Sequence, residues 1–194
     1  SRDLEWVLRS GQYEPRPEKM VNPVPRVGMV NGLAVYGPNL GMLLELEADL
    51  QPAARFPGVV QVTGIVEEEE MGQGTGRTMR RKSMANCSVK TVLAVLRRTL
   101  RQNLQDYDVF LNFPGGMPVD GPSAGIAIAA AVYSAATGTL LDNRLAMTGE
   151  LTLSGMVKPV GGVRAKIDAA IQAGATRVLI PKDNWQQEYE EAIR

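Results

Sequence analysis

The alternation of short strands with helices places this chain in the mixed α/β (α+β) class, a two-layer domain in which one sheet packs on helices. Three observations predict it. Leu44, Leu46 and Ala48 alternate with Glu45, Glu47 and Asp49, the period-two mark of a strand with one wet face. Val89, Val92, Leu93, Leu96, Leu100 and Leu104 fall on one helical stripe within residues 83–104. Residues 123–136 are apolar on nearly every side, the pattern of a central, buried helix.

Taken in order, residues 1–10 have helix-like spacing at Leu4, Val7 and Leu8, and residues 11–25 hold four prolines among polar residues. That is a linker signal, so residues 1–20 are expected to be the tail of a preceding domain with its connection, and 21–194 a domain of its own. Strands follow at 27–35 and 42–49, joined by a turn at Tyr36-Gly37-Pro38-Asn39, with a third at about 59–66. Glu67 to Glu70 and Gly72, Gly74 and Gly76, followed by Arg77, Arg80, Arg81 and Lys82, read as a solvated loop. A phosphate cradle is the competing reading, but the glycines fit neither Walker A nor GxGxxG spacing. After the amphipathic helix come a strand at 108–113, a loop at 114–118 and the apolar helix, which Gly138 is placed to end. Strands at 145–153 and 156–160, a helix at 163–173, a strand at 177–180 and a helix from about Asn184 complete the set.

Composition excludes several chemistries. The 194 residues contain no histidine, which removes Ser-His-Asp and Cys-His hydrolases and histidine-ligated metal sites. The one cysteine, Cys87, closes no intrachain disulfide, fits a reducing compartment and reads as a small buried hydrophobe. With 21 basic against 21 acidic side chains there is no basic excess for phosphates, so no nucleic-acid partner is expected. Residues 125–137, the longest near-apolar run, fall well short of the roughly 20 needed to cross a bilayer. Arg2, Asp3 and Glu5 open no signal peptide, and the expected location is cytoplasmic.

Two residues carry chemistry. The stripe of the helix after Gly162 reads Val163, Lys166, Ile167, Ala170, Ile171, so a lysine takes a slot that packing would give to leucine. A buried ammonium loses hydration and its pKa falls, which makes the neutral amine accessible as a base. Snorkelling to solvent, or pairing with a carboxylate, is the alternative. Ser123 follows Pro122 at the start of the apolar helix, where free N–H groups and the positive dipole end converge. An oxyanion formed there would meet oriented donors, worth about 3 kcal/mol each in acyl-transfer sites. A plain helix N-cap is the alternative. Gly121-Pro122-Ser123-Ala124-Gly125 also fits G-x-S-x-G, but no strand leads directly into the turn and no histidine exists to complete that site.

Together the two segments resemble the Lon protease family. Pro118-Val119-Asp120-Gly121-Pro122-Ser123-Ala124-Gly125 is similar to its PxDGPSAG nucleophile motif, and the block from Thr148-Gly149-Glu150 to Val163-Arg164-Ala165-Lys166 to its lysine motif. Val30-Asn31-Gly32-Leu33-Ala34-Val35-Tyr36-Gly37-Pro38 looks most like the B-type bacterial branch. The resemblance implies a ribosomal protein S5 domain 2-like fold and a serine endopeptidase with a Ser-Lys dyad. Ser123 would be the nucleophile and Lys166 the base. Thr148 would hold the lysine amine, and Asp120 would lie in the active-site loop. Phe113, Met117 and Pro118 would line the substrate peptide. Metal ligands are not implied, nor is a cofactor in this domain; ATP and Mg would be used by an AAA+ motor domain of the same full-length chain. Unfolded proteins or peptides would be the substrates, and a homo-oligomer, a hexamer, the assembly. Membrane association would come through a segment outside this sequence. The family pattern has lysine where Val119 stands, and in many members histidine where Phe110 and Asn112 stand. A catalytically silent Lon-like scaffold is the rival reading; the presence of both Ser123 and Lys166 argues against it.

Overall fold

The alternation of apolar and acidic residues at 43–49 is built into a six-stranded sheet, seen in a computed structural model that describes residues 20–36, 40–65, 84–117 and 122–187. β1 (Met29–Tyr36) and β2 (Leu40–Pro52) run antiparallel, and β4 (Tyr107–Met117) pairs antiparallel with β2. β3 (Val60–Ile65) lies parallel to β4, β5 (Leu145–Met147) parallel to β1, and β8 (Arg177–Leu179) parallel to β5, giving the order β3-β4-β2-β1-β5-β8. A separate hairpin joins β6 (Glu150–Leu151) to β7 (Val157–Lys158). The helices are α1 (Met84–Thr99), α2 (Gly125–Thr137), α3 (Val163–Gln172) and the short α4 (Lys182–Trp185).

The two sheet faces are unequal. On one, Val30, Leu44, Leu46, Val109, Leu111 and Phe113 meet Val89, Val92 and Leu96 of α1 and Ala127, Ile128, Ala131 and Val132 of α2 in a continuous apolar core. Each such large side chain contributes about 1.5–3 kcal/mol by leaving water. On the other face a smaller cluster, Leu33, Leu43 and Ala146 with Ala170 and Ala173, seats α3. Further along that face Glu47, Asp49, Thr63, Phe110 and Asn112 line a shallow groove. There Asn112 Nδ2 donates to Glu47 Oε2 at 2.9 Å, and Thr63 Oγ1 donates to Asn112 Oδ1 at 3.0 Å.

Several expectations are corrected. The strand predicted at 145–153 is two: Thr148 N–H still donates to Leu179 O, but Gly149 N–H turns away to Ser123 O, so the chain leaves the sheet there. Of the strand predicted at 156–160 only Val157–Lys158 forms. β4 runs on through Pro114 to Met117, where a loop was predicted. Its pairing with β2 ends at Asn112, so the missing N–H of Pro114 costs no bond on that side, and a register shift beside Gly64 (φ +77°) lets Ile65 meet Met117. The amphipathic helix stops at Thr99 rather than 104; Asn103 then caps a 3₁₀ turn, Leu104–Asp106, by accepting from Gln105 N–H. The apolar helix starts at Gly125, after a 3₁₀ turn at Pro122–Ala124, and ends with Gly138 at φ +69°. The last helix begins at Lys182. Cys87 is exposed, not buried, because it lies off the stripe of Ala85, Ser88, Val89 and Val92, on the side of Lys90. Apart from Met20, the predicted tail and linker lie outside the described residues, as do the turn at 37–39 and the loop at 67–82. Among the described residues no helix is long and apolar enough to cross a membrane.

Candidate active site

The break at Thr148 and Gly149 makes the site. Where these residues leave β5 they are stitched to the start of α2: Gly149 N–H donates to Ser123 O at 2.9 Å, Thr148 Oγ1 donates to the same oxygen at 3.3 Å, and Ile126 N–H donates to Gly149 O at 3.1 Å. The approach is close because residue 125 is glycine, since a Cβ there would sit 2.7 Å from Leu151 N. Ser123 is half-buried in the 3₁₀ turn. It is not the N-cap of α2. That position is Ala124, and no side chain caps the helix, so the plain capping alternative does not hold.

Lys166 reaches the same place from the opposite layer. Its helix begins at Gly162, whose φ of +67° is left-handed and where a Cβ would meet Val35 Cγ2 at 2.6 Å. The buried stripe of α3 is Val163, Lys166, Ala169 and Ala170. Ile171, predicted to lie on that stripe, is 63% exposed. Small residues face the sheet because the helix lies almost on the backbone of β2: a Cβ at Gly41 would be 1.9 Å from Ala165 O. Lys166 is only 2% exposed, so it does not snorkel. Among the described residues it has no ion pair. Nζ instead donates to Thr148 Oγ1 at 3.1 Å, and Thr148 is itself fully buried. Burial without a counter-charge lowers the lysine pKa from 10.5 to about 8.

Thr148 thus joins the two layers through one hydroxyl, which accepts from the amine and donates to the serine carbonyl. Among the described residues Lys166 Nζ makes this bond and not one to Ser123 Oγ; catalytic contacts of unliganded sites commonly tighten only with substrate bound. Phe113, expected to line the substrate, has its side chain entirely within the core, so at that position the backbone alone could face a peptide. Asp120, Pro118 and the Met117 side chain lie outside the described residues. The sequence reading missed Gly41 and Gly149, whose roles are made by backbone proximity between distant segments and leave no local signal.

Fold and site together describe a sheet-and-helix domain with a desolvated amine joined through the Thr148 hydroxyl to the carbonyl of a helix-start serine. The family model of the Lon protease (S16) C-terminal proteolytic domain matches residues 2–192. The chain is 53% identical over 184 residues to Lon protease 2 of Bacillus subtilis, covering 95% of this chain and 33% of that protein. It is 41% identical over 160 residues to the archaeal Lon protease of Archaeoglobus fulgidus (81% of this chain, 23% of the relative), and 41% identical over 189 residues to Lon protease 1 of Thermus thermophilus (95% and 21%). The chain therefore belongs to the Lon protease family, as its C-terminal proteolytic domain. It spans a third or less of the length of these relatives.

Proposed function

We propose that this domain is a serine endopeptidase that cleaves peptide bonds of unfolded proteins through a Ser123-Lys166 dyad. The observation that carries the reading is the buried, uncompensated Lys166 amine hydrogen-bonded to the threonine that also holds Ser123 O. A lysine whose pKa is about 8 is partly neutral near physiological pH and can take a proton. In the proposed cycle Lys166 Nζ removes the Ser123 hydroxyl proton as Oγ bonds to the scissile carbonyl carbon. The tetrahedral adduct collapses, the C–N bond breaks, and the ammonium returns the proton to the departing amine. Lys166 then deprotonates a water, which attacks the acyl-enzyme; cleavage of the ester gives the acid and restores the serine. Thr148 keeps Nζ aimed without adding a charge that would hold the proton on it. Asp120 belongs to the active-site loop, and residues 113–118 flank the substrate.

In this reading residues 1–20 are the tail of an AAA+ motor and its connection, ATP and Mg serve that motor rather than this domain, and the working assembly is a cytoplasmic homo-hexamer. The test is covalent. A fluorophosphonate should label Ser123 in the wild type and fail in Lys166→Ala, and hydrolysis of a fluorogenic peptide should drop at least about a thousandfold in Ser123→Ala and in Lys166→Ala. Equal labelling of wild type and Lys166→Ala would overturn the dyad.

A further inference from the structure

Asn184, on the short helix α4, is 4% exposed, and the catalytic reading gives it no part. Its carboxamide makes a two-point pairing with the main chain of one residue in the loop before α3: Val160 N–H donates to Asn184 Oδ1 at 2.9 Å, and Asn184 Nδ2 donates to Val160 O at 2.9 Å. Both groups of Val160 are thereby satisfied away from any strand. Two glycines follow, and the second, Gly162, receives the first bond of α3, from Lys166 N–H at 3.0 Å. A Gly-Gly lead-in has little conformational preference of its own, so the direction in which α3 sets out depends on what holds Val160.

We propose that Asn184 is a positioning residue for Lys166, fixing Val160 and hence the Gly161-Gly162 start of α3 so that the lysine side chain stays buried against Thr148. The links form a closed ring. Lys166 Nζ reaches Thr148 Oγ1, Thr148 N–H donates to Leu179 O, the chain runs from Leu179 through Pro181 to Asn184, and Asn184 returns through Val160 to the helix carrying Lys166. Val160 is the point where opening the ring frees the helix start without touching the dyad. This inference rests on the dyad reading.

Loosening the helix start admits water to Nζ, and since burial is what holds the lysine pKa down to about 8, hydration raises it towards 10.5. The charged groups on the surrounding elements are Arg164 and Asp168 on α3, Glu45, Glu47 and Asp49 on β2, Glu150 on β6, Lys158 on β7, Arg177 on β8, and Lys182 and Asp183 on α4. Among the described residues none of them pairs with Nζ, so access of water sets the shift.

The experiment measures peptide hydrolysis against pH in wild type, Asn184→Ala and Asn184→Leu, the last filling the space without adding charge. At pH 7.5 both variants should lose kcat by about fivefold to tenfold with KM changed less than about twofold. The midpoint of the rise of kcat with pH should move up by about one unit, so that much of the loss is recovered at high pH. A loss of the same factor at every pH, or no loss, overturns the inference; if Asn184→Ala does not fold, the midpoint in Asn184→Leu decides in the same way. Full hydrolysis by Ser123→Ala or Lys166→Ala would strike the dyad reading itself, whereas their expected inactivity with an unmoved midpoint at residue 184 strikes this inference alone.

Discussion

The two faces of the sheet are built to different standards. One is closed by α1 and α2 over large aliphatic side chains, with Phe113, Ile128 and Leu46 wholly buried. The other carries α3 on Leu33, Leu43 and a few alanines, and that thin layer accommodates the buried lysine. The serine rides at the start of the helix in the thick layer and the lysine in the thin one, with Thr148 between them. A cation can thus be desolvated without being lodged in the main core: a small-residue helix laid directly on strand backbone dries it at the edge of the packing.

The largest effect should come from breaking the thick face. Phe113→Ala should cost about 3–5 kcal/mol in denaturant midpoint or Tm, because a large side chain with no exposure leaves a cavity. A loss below about 1 kcal/mol would mean the two faces are equal. Next is Lys166→Met, which fills the thin layer with an uncharged side chain. Lys166 has its folded pKa lowered from 10.5 to about 8, so below pH 8 the folded chain bears the cost of a dry ammonium. Between these two pH values the unfolded chain holds more protons and stability rises with pH. Above the higher value the amine is neutral in both states and the cost is gone. The variant should therefore be the more stable near pH 7, by an upper bound of about 3 kcal/mol, and its advantage should shrink through that window, as paired urea titrations would show. The smallest effect on folding is expected at Gly41→Ala. There the new methyl meets Ala165 O and pushes α3 outward, at about 1–3 kcal/mol of stability and at least about tenfold in peptide hydrolysis. Unchanged hydrolysis in a folded Gly41→Ala would show that the seating of the helix does not matter.

Much of this was legible because the residues broke a pattern. Lys166 stands out as a charge on an apolar stripe, whereas Ser123 at the head of its helix reads equally well as an N-cap and gains its meaning only beside the lysine segment. The period-two strand at 43–49 and the glycine stop at 138 could be read locally. What could not be read depends on distant partners. Alternation continues through 145–153, so nothing local shows that Gly149 exchanges its strand neighbour for Ser123 O. Pro114-Gly115-Gly116 reads as a loop until the register shift against β3 shows it to be extra length bulged within β4, which advances from Asn112 to Met117 while β3 advances from Thr63 to Ile65. Ile171 was placed inward by a stripe one position off, because alanines, not isoleucine, face a sheet that α3 approaches so closely. Asn184 is an ordinary polar residue until the main-chain N–H and C=O of Val160 come against it.

The dyad requires that Lys166 be held dry enough to lose its proton near neutral pH. The direct measurement is an NMR titration of its side chain in the folded domain, assigned by comparison with Lys166→Met. A midpoint near 8 is expected, in line with the burial of Nζ against Thr148. A midpoint at the ordinary lysine value of 10.5 would contradict it.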